Sequence, residues 1–435
     1  MKQLLLESRA GQTRLALLED GSLSELYVER EGREKLVGNL YLGRAMNVLP
    51  GMQAAFVDIG LSKNGFLYAG DIQLDRRSLG PDAAALEQAL SGQSISKLIR
   101  PGQEVLVQVV KEPGGDKGPR LSMNATLPGR MAVLLPTLSY VGVSRRIESP
   151  AERDRLRALA ERLKPQGMGL IVRTAADGAG EEALARDIAY LVRLWDSIVE
   201  RARYAIAPSL VHRDLSLTHR AVRDMLLPDV ESLTVDGESA LTAARAHAAM
   251  LSDELPAKIR PHSDSYPLFE AHRIDAQTEK ALGRKVWLKS GGYLVFDYAE
   301  ALTVIDVNTG RYVGRKTLSD TVFEINREAA SEIARQLRLR DIGGIIVIDF
   351  IDMDLDEHRE ALLAHFAQAL KRDRTKTNLV GLTGLGLVEM TRKKVHQPLH
   401  TILTETCPTC QGSGRVVNGQ AHKARKRTGE NHETK

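Results

Sequence analysis

The feature that most constrains the fold is an alternation of strand-like and helix-like segments between residues 284 and 394. An antiparallel run of strands is predicted in RKVWLKSGGYLVFDYAEALTVIDVNTG, and the helix-like SDTVFEINREAASEIARQLRLRD follows it. The buried strand GGIIVIDFIDMD, a second helix and a final strand in GLGLVEMTRKK complete the pattern. Because strands that alternate with helices are typical of a sheet covered by helices, this region is predicted to form an α/β domain.

Two apolar runs of this domain end in aspartate. Asp306 ends LTVID and Asp349 ends IIVID, and catalytic groups in α/β sheets gather at the carboxyl ends of strands. Asn308 lies two residues beyond Asp306, where an extended chain directs it to the same face. Paired carboxylates suit a hard cation such as Mg²⁺, which polarises a phosphoryl oxygen and activates water. The alternative is that each Asp caps the turn after its strand.

Residues 37–122 carry short alternating segments with frequent turn signals and a closing strand in GQEVLVQVVKE, which predicts a small β-barrel. A polar, helix-like insertion, RRSLGPDAAALEQALSGQSISK, interrupts it. Phe56 and Phe66 lie on neighbouring predicted strands, and OB-folds use exposed aromatic residues to stack bases. Lys111 and Lys117 supply positive charge for phosphates. The alternative places both phenylalanines in the barrel core.

The segment after the barrel combines a helix start with two arginine-containing strand ends. Ser149, followed by Pro150 and Glu152, has the spacing of a capping box at a helix N-terminus. In VRT, Arg173 and Thr174 bring together a guanidinium and a hydroxyl, which both donate hydrogen bonds to phosphate oxygens. The pair therefore indicates a monophosphate pocket, against the alternative of a solvated arginine on the surface.

Composition narrows the class of protein. A length of 435 residues predicts two to four domains, and 43% hydrophobic with 27% charged residues is typical of a globular chain. No apolar stretch approaches the ~20 residues of a membrane span, and MKQLLLE meets a charge too early for a signal peptide. With two cysteines and 60 Lys and Arg, we expect a cytoplasmic location, no membrane contact and room for a polyanionic partner.

Both cysteines lie in TETCPTCQGSGR, where Cys407 and Cys410 have the spacing of half a structural zinc site. A redox CxxC usually opens a helix of a thioredoxin-like unit, which is not the context here. One way to complete the site uses His396 and His400 of VHQPLH within the chain. Another uses the same two cysteines of a second chain on a two-fold axis. We expect the shared Cys₄ site, and therefore a homodimer, with higher oligomers left open.

The segments VSRRI, IVRTA, IDVNTG, ARQLRLRDIGGIIVIDFIDM, EMTRKK and CPTCQGSG together closely resemble the ribonuclease E / ribonuclease G family. The resemblance runs from the N-terminus to about residue 415 and covers the catalytic region of that family. It implies a multidomain α/β and β fold with an S1-like OB barrel inserted in a split RNase H-like domain. The implied domains are RNase H-like (1–36 and 219–281), S1-like (37–122), 5′-sensor (123–218), DNase I-like catalytic (282–403), zinc link (404–415) and a basic disordered tail (416–435).

The resemblance also implies an activity and its residues. Members of the family are metal-dependent endoribonucleases that cut single-stranded RNA. Several positions of this chain match residues with roles in that activity. They are Asp306 and Asp349 for Mg²⁺ with Asn308 in support, Phe56, Phe66 and Lys117 for gripping RNA, and Arg145, Arg173 and Thr174 for a 5′-monophosphate.

Two departures from the family pattern modify the expectation. Lys376, in KRDRTKTN, replaces a family arginine, and a lysine lacks the bidentate fork, so 5′-end sensing is expected to be weaker. The chain ends soon after Cys410, which favours the ribonuclease G-like branch without a long scaffold tail.

The sequence thus predicts a Mg²⁺-dependent endoribonuclease of RNA processing and decay, stimulated by a 5′-monophosphate and leaving 5′-phosphate and 3′-hydroxyl ends. Zn²⁺ is the second expected metal. The alternatives are a non-catalytic RNA-binding or ribosome-associated factor and a DNA phosphodiesterase.

Overall fold

The computed structural model divides the chain into two compact units, Met1–Gly283 and Arg284–Lys435. The described residues are 1–32, 35–72, 94–113, 117–310, 317–395 and 397–416. Most of the predicted helix-like insertion lies outside them, although Ile95–Leu98 forms a short helix at its end. The predicted basic tail also lies outside them beyond residue 416. In the described part of the chain, no helix is both long enough and apolar enough to cross a membrane.

The first sheet joins the N-terminus to a segment much later in the first unit. Its first three strands form an antiparallel meander, and two later strands run parallel to the first. Leu4, Leu15 and Leu17 pack in its core against Val222 and Ala244. The five strands lie in the order Ile259–Pro261, Val230–Asp236, Lys2–Arg9, Gln12–Glu19 and Ser22–Arg30. The helices of this part are Leu217–Arg220, a π-helical turn Ala221–Met225, Glu238–Leu251, Leu268–Ala271 and Ile274–Leu282.

A closed barrel of five strands occupies the second part of the first unit, so the barrel prediction is confirmed. Alternate residues such as Val57, Leu67 and Leu121 fill its core, as an OB-like barrel requires. Around the barrel the strands are Leu40–Leu49, Ala54–Asp58, Gly65–Tyr68, Arg120–Ser122 and Glu104–Lys111, and the last pairs with the first. The strand Ser209–His212 adds to the edge of Leu40–Leu49.

The third part of the first unit is a small four-stranded sheet with two helices, Pro150–Leu163 and Glu181–Tyr204. The predicted cap is present, because the Ser149 hydroxyl accepts a hydrogen bond from the backbone N–H of Glu152 at 3.3 Å. In spatial order the strands are Val141–Val143, Gly169–Val172, Ala132–Leu135 and Leu127–Pro128.

The second unit is the predicted α/β domain, built on one six-stranded sheet. Its helices are Leu318–Leu339, Asp356–Leu370 and the short Leu399–Leu403. The strands lie in the order Lys285–Trp287, Tyr293–Tyr298, Leu302–Asn308, Gly344–Asp349, Val388–Arg392 and Thr377–Leu382. Only the central pair, Leu302–Asn308 with Gly344–Asp349, is parallel, because a helix connects these two strands.

The two faces of this sheet differ in burial. Ile305 and Ile348 point to one face, where they pack in the core with Leu337 and Phe366 of the helices. The next residues along each strand, Asp306 and Asp349, point to the other face and are exposed.

The structure as a whole has the predicted mixed α/β architecture. The RNase H-like, 5′-sensor and DNase I-like assignments and their bounds stay predictions.

Candidate active site and nucleic-acid-binding surfaces

Asp306 and Asp349 are directly opposite each other in the parallel pair of strands. Residues in register on neighbouring strands point to the same face, and such strands lie about 4.8 Å apart. Two sequence-distant carboxylates therefore meet at one point on the open face of the sheet. Burial, and then the negative charges of Asp306 and Asp352, raise the pKa of Asp349. The negative charges at this point repel one another, and a cation would relieve that repulsion.

Asn308 belongs to the same cluster. Its amide nitrogen Nδ2 donates a hydrogen bond to Asp306 Oδ2 at 2.7 Å. The structure thus brings together the three residues that the sequence predicted for the metal and its support. Their placement agrees with that role, which stays a prediction.

Asn326, which the sequence interpretation missed, holds the loop after Asp349. Its side chain is fully buried on the helix Leu318–Leu339. Its Nδ2 donates to the Ile351 carbonyl at 2.7 Å, and its Oδ1 accepts from the Ile351 backbone N–H at 3.1 Å. This two-way clamp orients the backbone two residues beyond Asp349. The signal in the sequence was a polar residue on the apolar face of an amphipathic helix.

A close approach of two glycine turns holds the chain beyond Asn308. Gly310 has a φ of +61°, and a Cβ there would overlap the carbonyl oxygen of Gly291. A Cβ on Gly292 would lie 2.9 Å from the carbonyl oxygen of Asn308. The Glu328 carboxylate accepts from the backbone N–H of Lys289 at 2.6 Å and so holds this turn. A glycine at position 310 is thus required by this close packing as well as by the turn.

The structure places Phe56 and Phe66 on the outer surface of the barrel, not in its core. They form a directly opposed cross-strand pair, with ring centroids 6.0 Å apart and planes at 74°. Both rings are half-buried, whereas their neighbours Ala55 and Val57 are fully buried. Two adjacent rings on a barrel surface can stack bases.

Strand pairing places two basic residues beside this aromatic pair. Phe66 lies opposite Arg120, and Arg120 lies opposite Lys111. The Arg120 guanidinium is exposed and makes an ion pair with Asp71 at 2.8 Å. The sequence interpretation missed Arg120, although it lies within the same KGPRL segment as Lys117. Lys117 is also exposed.

Arg173 and Thr174 follow the strand Gly169–Val172, and each already has a partner. Arg173 Nη1 donates to Asp224 Oδ1 at 2.7 Å and to the Gly129 carbonyl. The Thr174 hydroxyl lies 3.0 Å from the hydroxyl of Ser144. The sequence interpretation named neither Asp224 nor Ser144.

The charge of Arg173 is balanced within the protein. Burial tends to raise the pKa of Asp224, but hydrogen bonds and charges from Arg223 and Arg173 outweigh it and hold the pKa at about 2. The carboxylate therefore stays ionised and orients the Arg173 guanidinium. Arg145 is exposed one residue after Ser144. Lys376 is exposed at the start of the strand Thr377–Leu382 in the other unit.

Comparison with known proteins decides the family. A model of the Ribonuclease E/G family matches residues 126–395. Ribonuclease G of Escherichia coli (strain K12) is 45% identical over 415 residues, which cover 95% of this chain and 84% of that protein. Ribonuclease E of a Nostoc species is 44% identical over 406 residues, covering 92% of this chain and 57% of that protein. This chain belongs to the ribonuclease E/G family.

The side-chain oxygens of this cluster are of the type that a hard cation prefers. Asp306 and Asp349 offer carboxylates and Asn308 an amide oxygen, and Mg²⁺ is usually held by one or two carboxylates with water and substrate oxygens. Across the described ranges, no group of three or more His, Cys, Asp and Glu side chains could enclose a metal.

Cys407 and Cys410 lie in a tight turn, in which the backbone N–H of Gln411 donates to the Cys407 carbonyl at 2.8 Å. Backbone N–H groups of Cys410 and Thr409 lower the pKa of the Cys407 thiol, which favours the thiolate that binds metals. The chain supplies two thiols here, and a tetrahedral zinc needs two further ligands.

His400, which the sequence offered as a possible further ligand, packs against an aromatic ring. Its ring packs against Tyr298 at 4.3 Å between centroids, and burial lowers its pKa. Its Nδ1 is buried without a hydrogen-bond partner among the described residues. It joins no metal-binding group with the cysteines in the described part of the chain, and His396 lies outside that part.

Proposed function

We propose that this protein is a Mg²⁺-dependent endoribonuclease that cleaves single-stranded RNA and leaves 5′-phosphate and 3′-hydroxyl ends. The observation that supports it most is the direct opposition of Asp306 and Asp349 in parallel register, in a member of a ribonuclease family. A cytoplasmic location and a role in RNA processing and decay belong to the same proposal.

In this mechanism the two aspartates would hold the cation, and Asn308 would keep the Asp306 carboxylate in place through its hydrogen bond. Bound Mg²⁺ supplies Lewis-acid polarisation of the scissile phosphate and lowers the pKa of the attacking water. The new bond forms between the water oxygen and phosphorus. The bond from phosphorus to the 3′-oxygen breaks. The attacking water gives up one proton and the 3′-oxygen takes one up, which gives the proposed ends.

The outer row of the barrel would bind the RNA strand. Phe56 and Phe66 would stack bases, while Lys111, Lys117 and Arg120 would contact phosphates. Stacking on these rings requires unpaired bases, because a base within a duplex cannot reach an aromatic side chain. The expected substrate is therefore single-stranded.

Arg173, Thr174 and Arg145 would bind a 5′-monophosphate. Asp224 orients the Arg173 guanidinium, and Ser144 lies beside the Thr174 hydroxyl. The deciding assay compares 5′-monophosphorylated with 5′-hydroxyl RNA of one sequence, with Mg²⁺ and with EDTA. We expect Mg²⁺-dependent cutting that is faster for the monophosphorylated RNA. No cutting under any condition would contradict the proposal.

Cys407 and Cys410 would share one Zn²⁺ with the same residues of a second chain and so link a dimer. Metal analysis tests this separately from activity. Half a zinc per chain, together with a dimeric mass that Cys410→Ser converts to a monomer, is the expected result. One zinc per chain would contradict a shared site.

The barrel row by itself would also suit a non-catalytic RNA-binding factor. Such a factor would bind RNA tightly and with strong salt dependence, but would cut none of it when Mg²⁺ is added. Single-stranded DNA in the same assay separates a DNA phosphodiesterase from both.

A further inference from the structure

An exposed aromatic pair lies at the edge of the catalytic-domain sheet. Trp287 and Tyr293 are directly opposite each other on neighbouring antiparallel strands, with ring centroids 5.3 Å apart. Trp287 is 63% exposed, while Val286 and Leu288 on either side point to the apolar core. The tryptophan ring therefore adds little to that core, and its exposure requires another explanation.

A lysine completes this cluster. Lys285 Nζ lies 3.3 Å from the centroid of the Tyr293 ring and 4.1 Å from that of the Trp287 ring. Aromatic faces attract cations, so the ammonium group is held above the two rings. The cluster thus combines a flat apolar surface with a positive charge. This is the combination by which proteins bind single-stranded nucleic acid, with rings for bases and cations for phosphates.

Strand register connects the cluster to the aspartate pair. Tyr293 lies directly opposite Asn308, on the face that carries Asp306. A second row runs from Lys285 through Val295 and Asp306 to Asp349. With about 4.8 Å between strands, the Tyr293 backbone is one strand from Asn308 and that of Trp287 is two strands, or roughly 10 Å, away.

We propose that Trp287 and Tyr293 stack a nucleobase of the RNA beside the scissile phosphate, and that Lys285 contacts a neighbouring phosphate. This inference rests on the proposed ribonuclease function and adds a base-binding subsite within the catalytic domain. Stacking accepts any base, because every base has a π-face, but it requires that base to be unpaired. The subsite thereby selects a single-stranded nucleotide next to the bond that is cut.

Fluorescence tests binding independently of cleavage. The chain has two tryptophans, so Trp195→Phe leaves Trp287 as the only one, and Asp349→Asn in the same protein prevents cutting. Titration with a single-stranded RNA oligonucleotide is expected to quench Trp287 in a saturable manner. A duplex of the same sequence is expected not to do so. Unchanged fluorescence at saturating single-stranded RNA, with binding verified by anisotropy of labelled RNA, would overturn the inference.

Abasic substitution then tests the position of the stacked base. A set of RNA substrates carries one abasic nucleotide at successive positions around the cleavage site, and kcat/KM is measured for each. In the wild type we expect one position at which base removal lowers kcat/KM by about 5- to 150-fold, the range of stacking on one aromatic platform. Trp287→Ala should abolish that penalty, Trp287→Phe should keep most of it, and Tyr266→Ala, an exposed aromatic of the other unit, should leave it intact.

The outcomes separate the two proposals. If Asp349→Asn abolishes cleavage but Trp287→Ala shows the wild-type penalty at every position, the subsite is wrong and the ribonuclease function stands. If the wild type cuts no RNA, the proposed function fails, and the fluorescence titration alone decides whether a base stacks on Trp287. A changed oligomeric mass of Trp287→Ala with an unchanged abasic profile would identify a protein interface and overturn the inference.

Discussion

Two carboxylates of this protein, Asp224 and Asp349, have environments of opposite electrostatic character. Arg223 and Arg173 surround Asp224 and hold its pKa at about 2, despite its burial. Asp349 lies on the exposed face of the sheet near the acidic Asp306 and Asp352, and its pKa is raised. The first carboxylate is neutralised by the protein's own cations. The second is left with a charge that a bound cation would balance.

The difference distinguishes a carboxylate that positions an arginine from one that we propose to be a metal ligand. Asp224 uses its charge to orient an arginine, so its effect is present without any ligand. The negative charges of Asp306 and Asp349 repel each other, and in the proposed function a bound cation would relieve that repulsion. Opposite pKa shifts in one protein therefore indicate two different kinds of site.

The largest expected effect follows from removing one carboxylate of the repelling pair. Asp349→Asn should lower the cleavage rate by at least about 1000-fold, because a lost metal ligand costs several kcal/mol of transition-state stabilisation. Stability should be unchanged or slightly higher, since like-charge repulsion is removed. Single-turnover cleavage and urea unfolding measure the two quantities. Asp354→Asn, an exposed acid nearby, is the matched control, and substantial cutting by Asp349→Asn would refute the metal site.

The next effect concerns the clamp that holds the loop after Asp349. Asn326→Leu should lower the free energy of unfolding of the second unit by about 2–4 kcal/mol, because the partly buried backbone N–H and carbonyl of Ile351 lose their partner. Cleavage should fall as well, since the loop after Asp349 is released. Urea unfolding monitored by circular dichroism is the measurement. The exposed Asn378→Leu should change stability by less than about 0.5 kcal/mol, and equal effects of the two substitutions would argue against the clamp.

Replacing Asp224 tests whether the neighbouring arginines stabilise its ionised form. Asp224→Asn should cost about 2 kcal/mol at pH 7, because a pKa held near 2, against an ordinary 3.8, stabilises the folded state whenever the carboxylate is ionised. That contribution is complete above the ordinary pKa and is lost as pH falls through the folded one. The stability difference between the two proteins should thus be about half as large at pH 3. A pH-independent difference would contradict the electrostatic account.

Asp224→Asn should also change the preference of the protein for the 5′ end of its RNA. Without Asp224, the Arg173 guanidinium loses its orientation, so the preference for 5′-monophosphorylated over 5′-hydroxyl RNA should decrease. Cleavage of the 5′-hydroxyl RNA should change little. Equal loss on both RNAs would assign Asp224 to general stability alone.

The smallest effect is expected at Arg120, whose ion pair with Asp71 is exposed. Arg120→Gln should change stability by less than about 1 kcal/mol, as is usual for exposed pairs. RNA binding should weaken, and the slope of log K against log salt should fall by about 0.7, the value for one phosphate contact of a single strand. Fluorescence anisotropy at several salt concentrations measures both. An unchanged slope would contradict the proposed phosphate contact of Arg120.

Features that depend on residues close together in the chain could be predicted from the sequence. The helix cap at Ser149 and the strand ending at Asp349 could be predicted, because capping and alternation depend on residues a few positions apart. The barrel could be predicted from repeated alternation and turns. Contacts made by side chains from distant segments could not. Asn326 with Ile351 and Arg173 with Asp224 carry no pattern that a short window detects.

The sequence by itself determined the helices and strands, the family and the candidate site residues. These include Asp306 and Asp349 for a metal and the two phenylalanines for stacking bases. Only the tertiary structure decided which of them meet. The parallel register puts the two aspartates opposite each other, and the closed barrel turns Phe56 and Phe66 outward beside Arg120. The physical reason is that periodicity specifies which face a side chain takes on its own strand, whereas strand pairing, set by the whole core, specifies its neighbours across the sheet.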